Sequence, residues 1–81
     1  MYYVYILKSI KDSKLYIGHT KNLTNRIKQH NQGLVEATQK RRPLKIVYYE
    51  ASNILEDAIR REASLKTGFG RAYLKRRLQN I

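Results

Sequence analysis

No cysteine occurs in this chain of 81 residues, and for so short a chain that is the tightest constraint on what it can fold into. A chain of this length is expected to make one domain, 1–81, and to bury only a thin core, about 60% of the surface its unfolded form exposes. Small domains usually need a staple. Disulfides are excluded here, and a structural zinc nearly so, because His19 and His30 are the only soft ligands. Stability must come from packing, and 42% hydrophobic residues make that feasible.

The surface of that core is strongly basic, with 17 Lys and Arg against 6 Asp and Glu and a net charge of +11. The first forty residues carry seven cations and two carboxylates, the remainder ten and four. The folded body itself is therefore basic, with no separate basic tail. Nucleic acid is the leading partner, because each neutralised phosphate releases counterions. A membrane is not expected: no run approaches the roughly 18 apolar residues of a spanning helix, and the cations are not gathered for a lipid surface. Met1-Tyr2-Tyr3-Val4-Tyr5-Ile6-Leu7 lacks the basic leader and small-residue cleavage site of a signal peptide, so a cytoplasmic location is expected.

Residues 2–8 are aromatic and β-branched and predict a strand. The polar turn Lys11-Asp12-Ser13-Lys14 leads into a short second strand, Leu15-Tyr16-Ile17-Gly18, giving a hairpin. Asn22 caps a helix to about Asn31, with Gly33 as its stop. Residues 33–43 read as a polar, basic loop ending in Lys40-Arg41-Arg42-Pro43, followed by a third strand over 44–50. Ser52 or Asn53 is expected to cap a second helix, with Asn53 and Glu56 in capping-box spacing, and that helix is expected to stop at Thr67-Gly68. Residues 71–80 predict a short basic helix carrying Leu74 and Leu78. The order ββαβαα implies an α+β (mixed α/β) fold with a small, mostly antiparallel sheet.

The informative residues are polar side chains in apolar places. At about 100° per residue, with Leu55 at zero, the second helix's apolar stripe of Leu55, Ala58, Ile59 and Ala63 also contains Glu62 and Lys66, while Glu56, Asp57, Arg60 and Arg61 fall on the solvent side. An inward carboxylate is unfavourable unless paired or metal-bound. Two readings stand: an i, i+4 ion pair at the core's edge, or a carboxylate presented into a cleft to hold Mg²⁺ beside a phosphate. The first helix repeats the pattern, for Arg26 and His30 lean toward Leu23 and Ile27. They are either a satisfied core histidine with a snorkelling arginine or a guanidinium and imidazole facing one phosphate. An unbulged hairpin with an even loop would set Tyr3, Tyr5 and Leu7 on one sheet face with Tyr16 and Gly18, and Tyr16 near Tyr5. Tyr2, Tyr48 and Tyr49 read as strand formers and core fillers.

Other chemistries lack support. There is no cysteine nucleophile, G-x-S-x-G elbow or P-loop. Gly68-Phe69-Gly70-Arg71 follows a helix, not a strand, and reads as a helix–helix turn whose amides and Arg71 are in a position to touch a phosphate.

At these residues the chain resembles a GIY-YIG nuclease domain. Tyr3-Val4-Tyr5 is a variant of the first motif and Tyr16-Ile17-Gly18 matches the second; Arg26 and His30 follow at fitting intervals, and Ala58-Ile59-Arg60-Arg61-Glu62 supplies the family's glutamate. With Leu65-Lys66 and the basic C-terminal region, the chain is similar to the short stand-alone bacterial members over nearly its whole length. The resemblance implies a three-stranded antiparallel sheet flanked by helices, and phosphodiester cleavage dependent on Mg²⁺ or Mn²⁺. By position, Glu62 would hold the metal and Tyr16 would be the base or nucleophile-positioning phenol, with Tyr5 beside it. Arg26 would stabilise phosphoryl charge, and His30 would assist Tyr16 or the phosphate. Such chemistry needs positioned cations more than covalent help, and a phenol serves as a base only where cations lower its pKa. The late Asn80 is given no role.

The expectation is therefore a metal-dependent endonuclease acting on DNA by a single-metal mechanism, with RNA still open as a substrate. Lys40, Arg41, Arg42, Lys66, Arg71, Lys75, Arg76 and Arg77 are the candidates for backbone contacts. Weak sequence preference is expected from so small a reading surface, and branched, nicked or single-stranded substrates suit it. The alternatives are a non-catalytic nucleic-acid-binding module on the same fold, or an interaction module of a repair complex. Sequence does not fix the oligomeric state.

Overall fold

The computed structural model describes residues 1–79. Strands β1 (Tyr2–Ser9) and β2 (Leu15–Thr20) are followed by α1 (Leu23–Asn31), β3 (Leu44–Ser52), α2 (Leu55–Leu65) and α3 (Gly68–Arg77). Both pairings are antiparallel, and β1 lies centrally in the order β2-β1-β3. The fold is thus α+β in the order ββαβαα, as the sequence predicts. All three strands run slightly beyond their expected ends, because pairing with β1 extends past the residues whose composition announces a strand.

The central position of β1 explains its composition. Val4, Tyr5, Ile6 and Leu7 are each at most 3% exposed, so the strand is buried on both faces and reads as a continuous apolar run rather than an alternation. One face packs Val4 and Ile6 against Ala58, Leu65 and Leu74 of α2 and α3. The other packs Tyr5 and Leu7 against Leu44, Leu23 and Ile27, under α1. Removing such side chains from water stabilises the fold by about 1.5–3 kcal/mol each.

α1 starts and stops as its sequence dictates. The Asn22 side chain accepts from the Asn25 amide at 3.0 Å, and Gly33 turns the chain with φ +81°. The segment after it is not simply polar: Val35 and Thr38 are buried, and the buried Ser9 hydroxyl donates to the Arg41 carbonyl at 2.7 Å, tying the loop to the hairpin.

Two expectations fail around α2. The cap residue is Ile54, which makes no side-chain capping bond; Ser52 ends β3, and its hydroxyl instead accepts from the Ile54 amide. The buried line runs through Ala58 and Leu65, whereas Leu55 and Ile59 are 37% and 45% exposed and Ala63 is exposed. The helix is therefore rotated from the expected stripe, which carries Arg61 off the solvent side. Its guanidinium donates two hydrogen bonds to Glu50, Nε to Oε1 and a terminal nitrogen to Oε2, both 2.9 Å, and lies over the Tyr73 ring at 4.9 Å.

The expected Gly68–Arg71 turn is instead the first turn of α3. Thr67 caps it, accepting from the Gly70 amide at 3.1 Å. A Cβ on Gly70 would lie 2.3 Å from the Ser64 carbonyl oxygen, so glycine lets α3 cross tightly over the end of α2. Leu74 is buried and Leu78 packs on the core, as expected. α3 ends at Arg77; Asn80, the expected end of that helix, lies outside the described residues.

Candidate active site

The hairpin register builds the first half of the site. Tyr5 pairs with Gly18 and Leu7 with Tyr16, so Tyr5 and Tyr16 share the α1 face, with ring centroids 6.3 Å apart. Gly18 makes this possible: a Cβ there would lie 2.7 Å from the Tyr5 hydroxyl and 3.1 Å from the Tyr16 ring. α1 then brings its third turn over both rings. His30 is fully buried, its ring edge-on to Tyr5 at 5.6 Å and to Tyr16 at 5.0 Å.

A buried relay fixes His30. Its Nε2 meets the Tyr5 hydroxyl at 2.8 Å and its Nδ1 meets the Thr38 hydroxyl at 2.7 Å. Burial, then the positive charge of Arg26, pushes the His30 pKa down to about 4, so the ring is neutral at pH 7. A neutral ring has one donor and one acceptor nitrogen. The relay is complete when Tyr5 donates to Nε2 and Nδ1–H donates to Thr38. Burial raises the Tyr5 phenol above its ordinary pKa, with Arg26 offsetting only part of the rise; Tyr5 therefore keeps its proton. Both His30 nitrogens are spent on Tyr5 and Thr38, which leaves neither for a phosphate. The Tyr16 hydroxyl, by contrast, makes no side-chain hydrogen bond among the described residues. Arg26 is half-buried and donates to Gln29 Oε1 at 2.9 Å.

Glu62 lies on the other face. Val4 pairs with His19, so His19 points to the α2 side, one residue beyond Gly18. Its Nδ1 is 2.5 Å from Glu62 Oε1, and Lys66 Nζ donates to Oε2 at 2.7 Å. The Glu62 side chain is 19% exposed, that of Lys66 53%; the glutamate faces inward and the lysine reaches solvent, contrary to the expectation that both turn to the core. Burial alone would raise the Glu62 pKa, but the bonds from Lys66 and His19 outweigh it and the carboxyl sits below its ordinary value. Glu62 and the Tyr5–His30 pair therefore lie on opposite faces of the sheet, with Glu62 bonded to His19 of the edge strand β2. The i, i+4 pair read from the sequence thus exists, and it coexists with a carboxylate kept ionised at the sheet edge.

One ionised carboxylate is a fitting donor set for a small hard cation, since Mg²⁺ commonly takes one or two carboxylates, keeps several waters and completes its shell with substrate phosphate. Among the described residues no group of three or more His, Cys, Asp or Glu gathers as a metal cage.

The basic candidates divide. Arg41 is tied to Asp12 of the hairpin turn at 3.1 Å, and Arg42 to the Gln39 carbonyl of its own loop at 2.8 Å. Lys40 is exposed beside them, and Arg76 and Arg77 are exposed on α3. Lys66, Arg71 and Lys75 share one cleft. Sequence reasoning missed two members of the site. His19 lay just beyond the expected end of β2, where the strand's alternation already assigns it to the α2 face. Thr38 sat in a loop with no periodicity to reveal that it is buried.

The family described as the GIY-YIG catalytic domain matches residues 1–78. A UPF0213 protein of Staphylococcus haemolyticus is 45% identical over 67 residues, 82% of this chain and 80% of that one. A UPF0213 protein of Clostridium perfringens is 48% identical over 67 residues, 82% and 71% of the two chains. The solution NMR structure of the UPF0213 protein BH0048 from Bacillus halodurans is 35% identical, with a TM-score of 0.55, covering 91% of this chain and 82% of that one.

Proposed function

The chain belongs to the GIY-YIG catalytic domain family, a nuclease-type fold, and from that membership we propose that it is a metal-dependent endonuclease hydrolysing phosphodiester bonds of DNA. What supports the reading is the Tyr5–Tyr16–His30 cluster with Arg26 on one face of the sheet, together with an ionised Glu62 bonded to His19 of β2 on the other. Glu62 would hold a divalent cation, Mg²⁺ or Mn²⁺. Such an ion, when bound, neutralises charge on the phosphoryl oxygens.

The chain's own residues divide the remaining work. The Arg26 guanidinium offers fixed positive charge where phosphoryl charge develops. Tyr16 carries the open hydroxyl and is the phenol that orients the attacking water or takes its proton. Tyr5 stays protonated and, through its bond to His30, holds the wall against which Tyr16 packs. His30 is then a positioning residue rather than an acid or base.

A second reading, a non-catalytic nucleic-acid-binding module, draws on one observation: both Glu62 oxygens are already engaged, by His19 and Lys66. Labelled duplex, single-stranded, branched and RNA substrates, tested with Mg²⁺, Mn²⁺ or EDTA, separate the two. Metal-dependent cleavage that disappears in Glu62→Ala while binding persists is the expected result. Binding without cleavage in every metal would favour the module, and cleavage surviving Glu62→Ala would displace the site.

A further inference from the structure

The two oxygens of Glu62 are held in unequal ways. His19 Nδ1 reaches Oε1 from a strand, and the His19 backbone is paired with Val4 inside the sheet. The ring therefore has little freedom to leave. Lys66 Nζ reaches Oε2 at 2.7 Å from the C-cap of α2, four residues along the chain. More than half of the Lys66 side chain is exposed, whereas that of Glu62 is mostly covered. An ammonium on a flexible four-carbon stem, already in reach of water, leaves easily, because exposed pairs at this spacing contribute little net energy. The carboxylate cannot follow it into solvent. Without Lys66, Glu62 keeps the His19 bond and turns one open oxygen outward.

Oε2 is thus the oxygen that can exchange partners. The ammonium on it helps to keep the half-buried carboxyl ionised, as a cation ligand has to be. It also supplies a single charge where phosphoryl chemistry calls for a double one. Two cations on one carboxylate oxygen repel each other, so Lys66 and a divalent ion are alternatives rather than companions. We propose that Lys66 is the counter-ion Glu62 keeps until the site is loaded, and that its ammonium must quit Oε2 before a divalent cation is held there. The inference rests on the nuclease reading and deepens it by naming what regulates that site. Lys66 then sets how tightly the free protein takes its metal, and once released it has three donors to offer a phosphate.

The test is Mn²⁺ binding to the free protein at neutral pH and low salt, read from the electron paramagnetic resonance signal of the unbound ion. No nucleic acid is present, so cleavage plays no part. Lys66→Met keeps an apolar stem and removes the ammonium, while Lys66→Arg keeps the charge. Lys66→Met should bind Mn²⁺ about tenfold more tightly than the parent protein, because a close charge is removed and only a weak ion pair is lost. The gain should vanish when Glu62→Ala is added. Lys66→Arg should stay within about threefold of the parent, and Lys28→Met, which removes an exposed charge from α1, should change the affinity by less than about twofold. Unchanged or weaker binding in Lys66→Met, a gain that survives Glu62→Ala, or an equal gain in Lys28→Met would overturn the inference. So would a fall in the melting temperature of Lys66→Met with Mn²⁺ affinity unchanged, which would make the pair a structural link alone. If the Glu62-dependent gain appears and no nucleic acid is cut in any metal, the nuclease reading fails and the exchange stands. If Glu62-dependent cleavage appears while Lys66→Met leaves Mn²⁺ affinity unchanged, only the exchange fails.

Discussion

The two faces of the sheet use buried polar groups in opposite ways. Under α1, Tyr5, His30 and Thr38 form an uncharged relay, and the charge nearby, Arg26, meets no carboxylate in an ion pair among the described residues. On the opposite face, Glu50 takes two bonds from Arg61 and one from Tyr48, and Tyr48 meets the Tyr73 hydroxyl at 3.0 Å. There the charges cancel one another and join β3 to α2 and α3. A small domain without disulfides needs such cross-links between elements. The lesson is that the Glu50 cluster devotes its polar groups to holding the molecule together, whereas the α1 face holds its own in place and leaves Arg26 and the Tyr16 hydroxyl with bonding capacity to spare.

The sharpest way to break that comparison is to delete one hydroxyl from the open face. Tyr16→Phe keeps the ring that packs on His30 and Tyr5, so the thermal midpoint should barely move. Cleavage should fall by about 10²–10⁴-fold, the usual worth of a positioned acid or base. Single-turnover rates beside a melting curve decide it. Full activity in Tyr16→Phe would remove the phenol from the chemistry, and a large loss of stability would return it to the structural side.

The relay predicts a pH dependence of known sign. His30 titrates at about 4 when folded and at 6.5 when free. As pH falls below about 6.5, the unfolded chain takes up the proton first, and the folded state loses up to about 3 kcal/mol by the time pH reaches about 4. Glu50 and Glu62 have lowered pKa values, so their contributions are lost at still lower pH. Urea unfolding between pH 7 and 4.5 should show the decline, and His30→Gln should flatten it. A decline of equal steepness in that variant would mean that other groups carry the proton linkage.

The opposite face gives the smaller effect. Glu50→Ala strands the Arg61 guanidinium, but these side chains are 28% and 36% exposed, and solvent screens much of the loss. We expect about 1–2 kcal/mol of destabilisation with cleavage per folded molecule unchanged. Loss of cleavage without loss of stability would show that the clamp serves the site and would collapse the contrast between the faces.

Legibility in the sequence follows the same division. The hairpin register, the inward lean of Arg26 and His30, and an inward Glu62 were all readable, because each rests on local periodicity of 2 or 3.6 residues. The rotation of α2 was not. Leu55 and Ile59 look like a core stripe, but what draws the helix round is Glu50 pairing with Arg61 across eleven residues of sequence, and Gly70 letting α3 press on α2's end. Thr38 was invisible because a loop without periodicity places it, and His19 was missed because it lies beyond the residues that announce the strand, although alternation continued by one residue assigns its face.

The cap of α2 marks the limit of local reading and supplies the smallest prediction. Asn53 and Glu56 have capping-box spacing, yet β3 pairing holds the chain extended through Ser52, and the extended backbone that precedes the helix falls on Ile54. Its side chain is 51% exposed, so little packing is at risk, and the first turn already carries Glu56 and Asp57, which favour the helix dipole. Ile54→Ser places an acceptor within reach of the unpaired amides and should add about 0.5–1 kcal/mol, or several degrees in the melting temperature of a domain this size. Because α2 carries Glu62 but the cap lies two turns away, cleavage should not change. A serine that fails to raise the melting temperature would mean that those amides already have partners in water as good as a side-chain oxygen, and that the tightness of this face owes nothing to the start of its main helix.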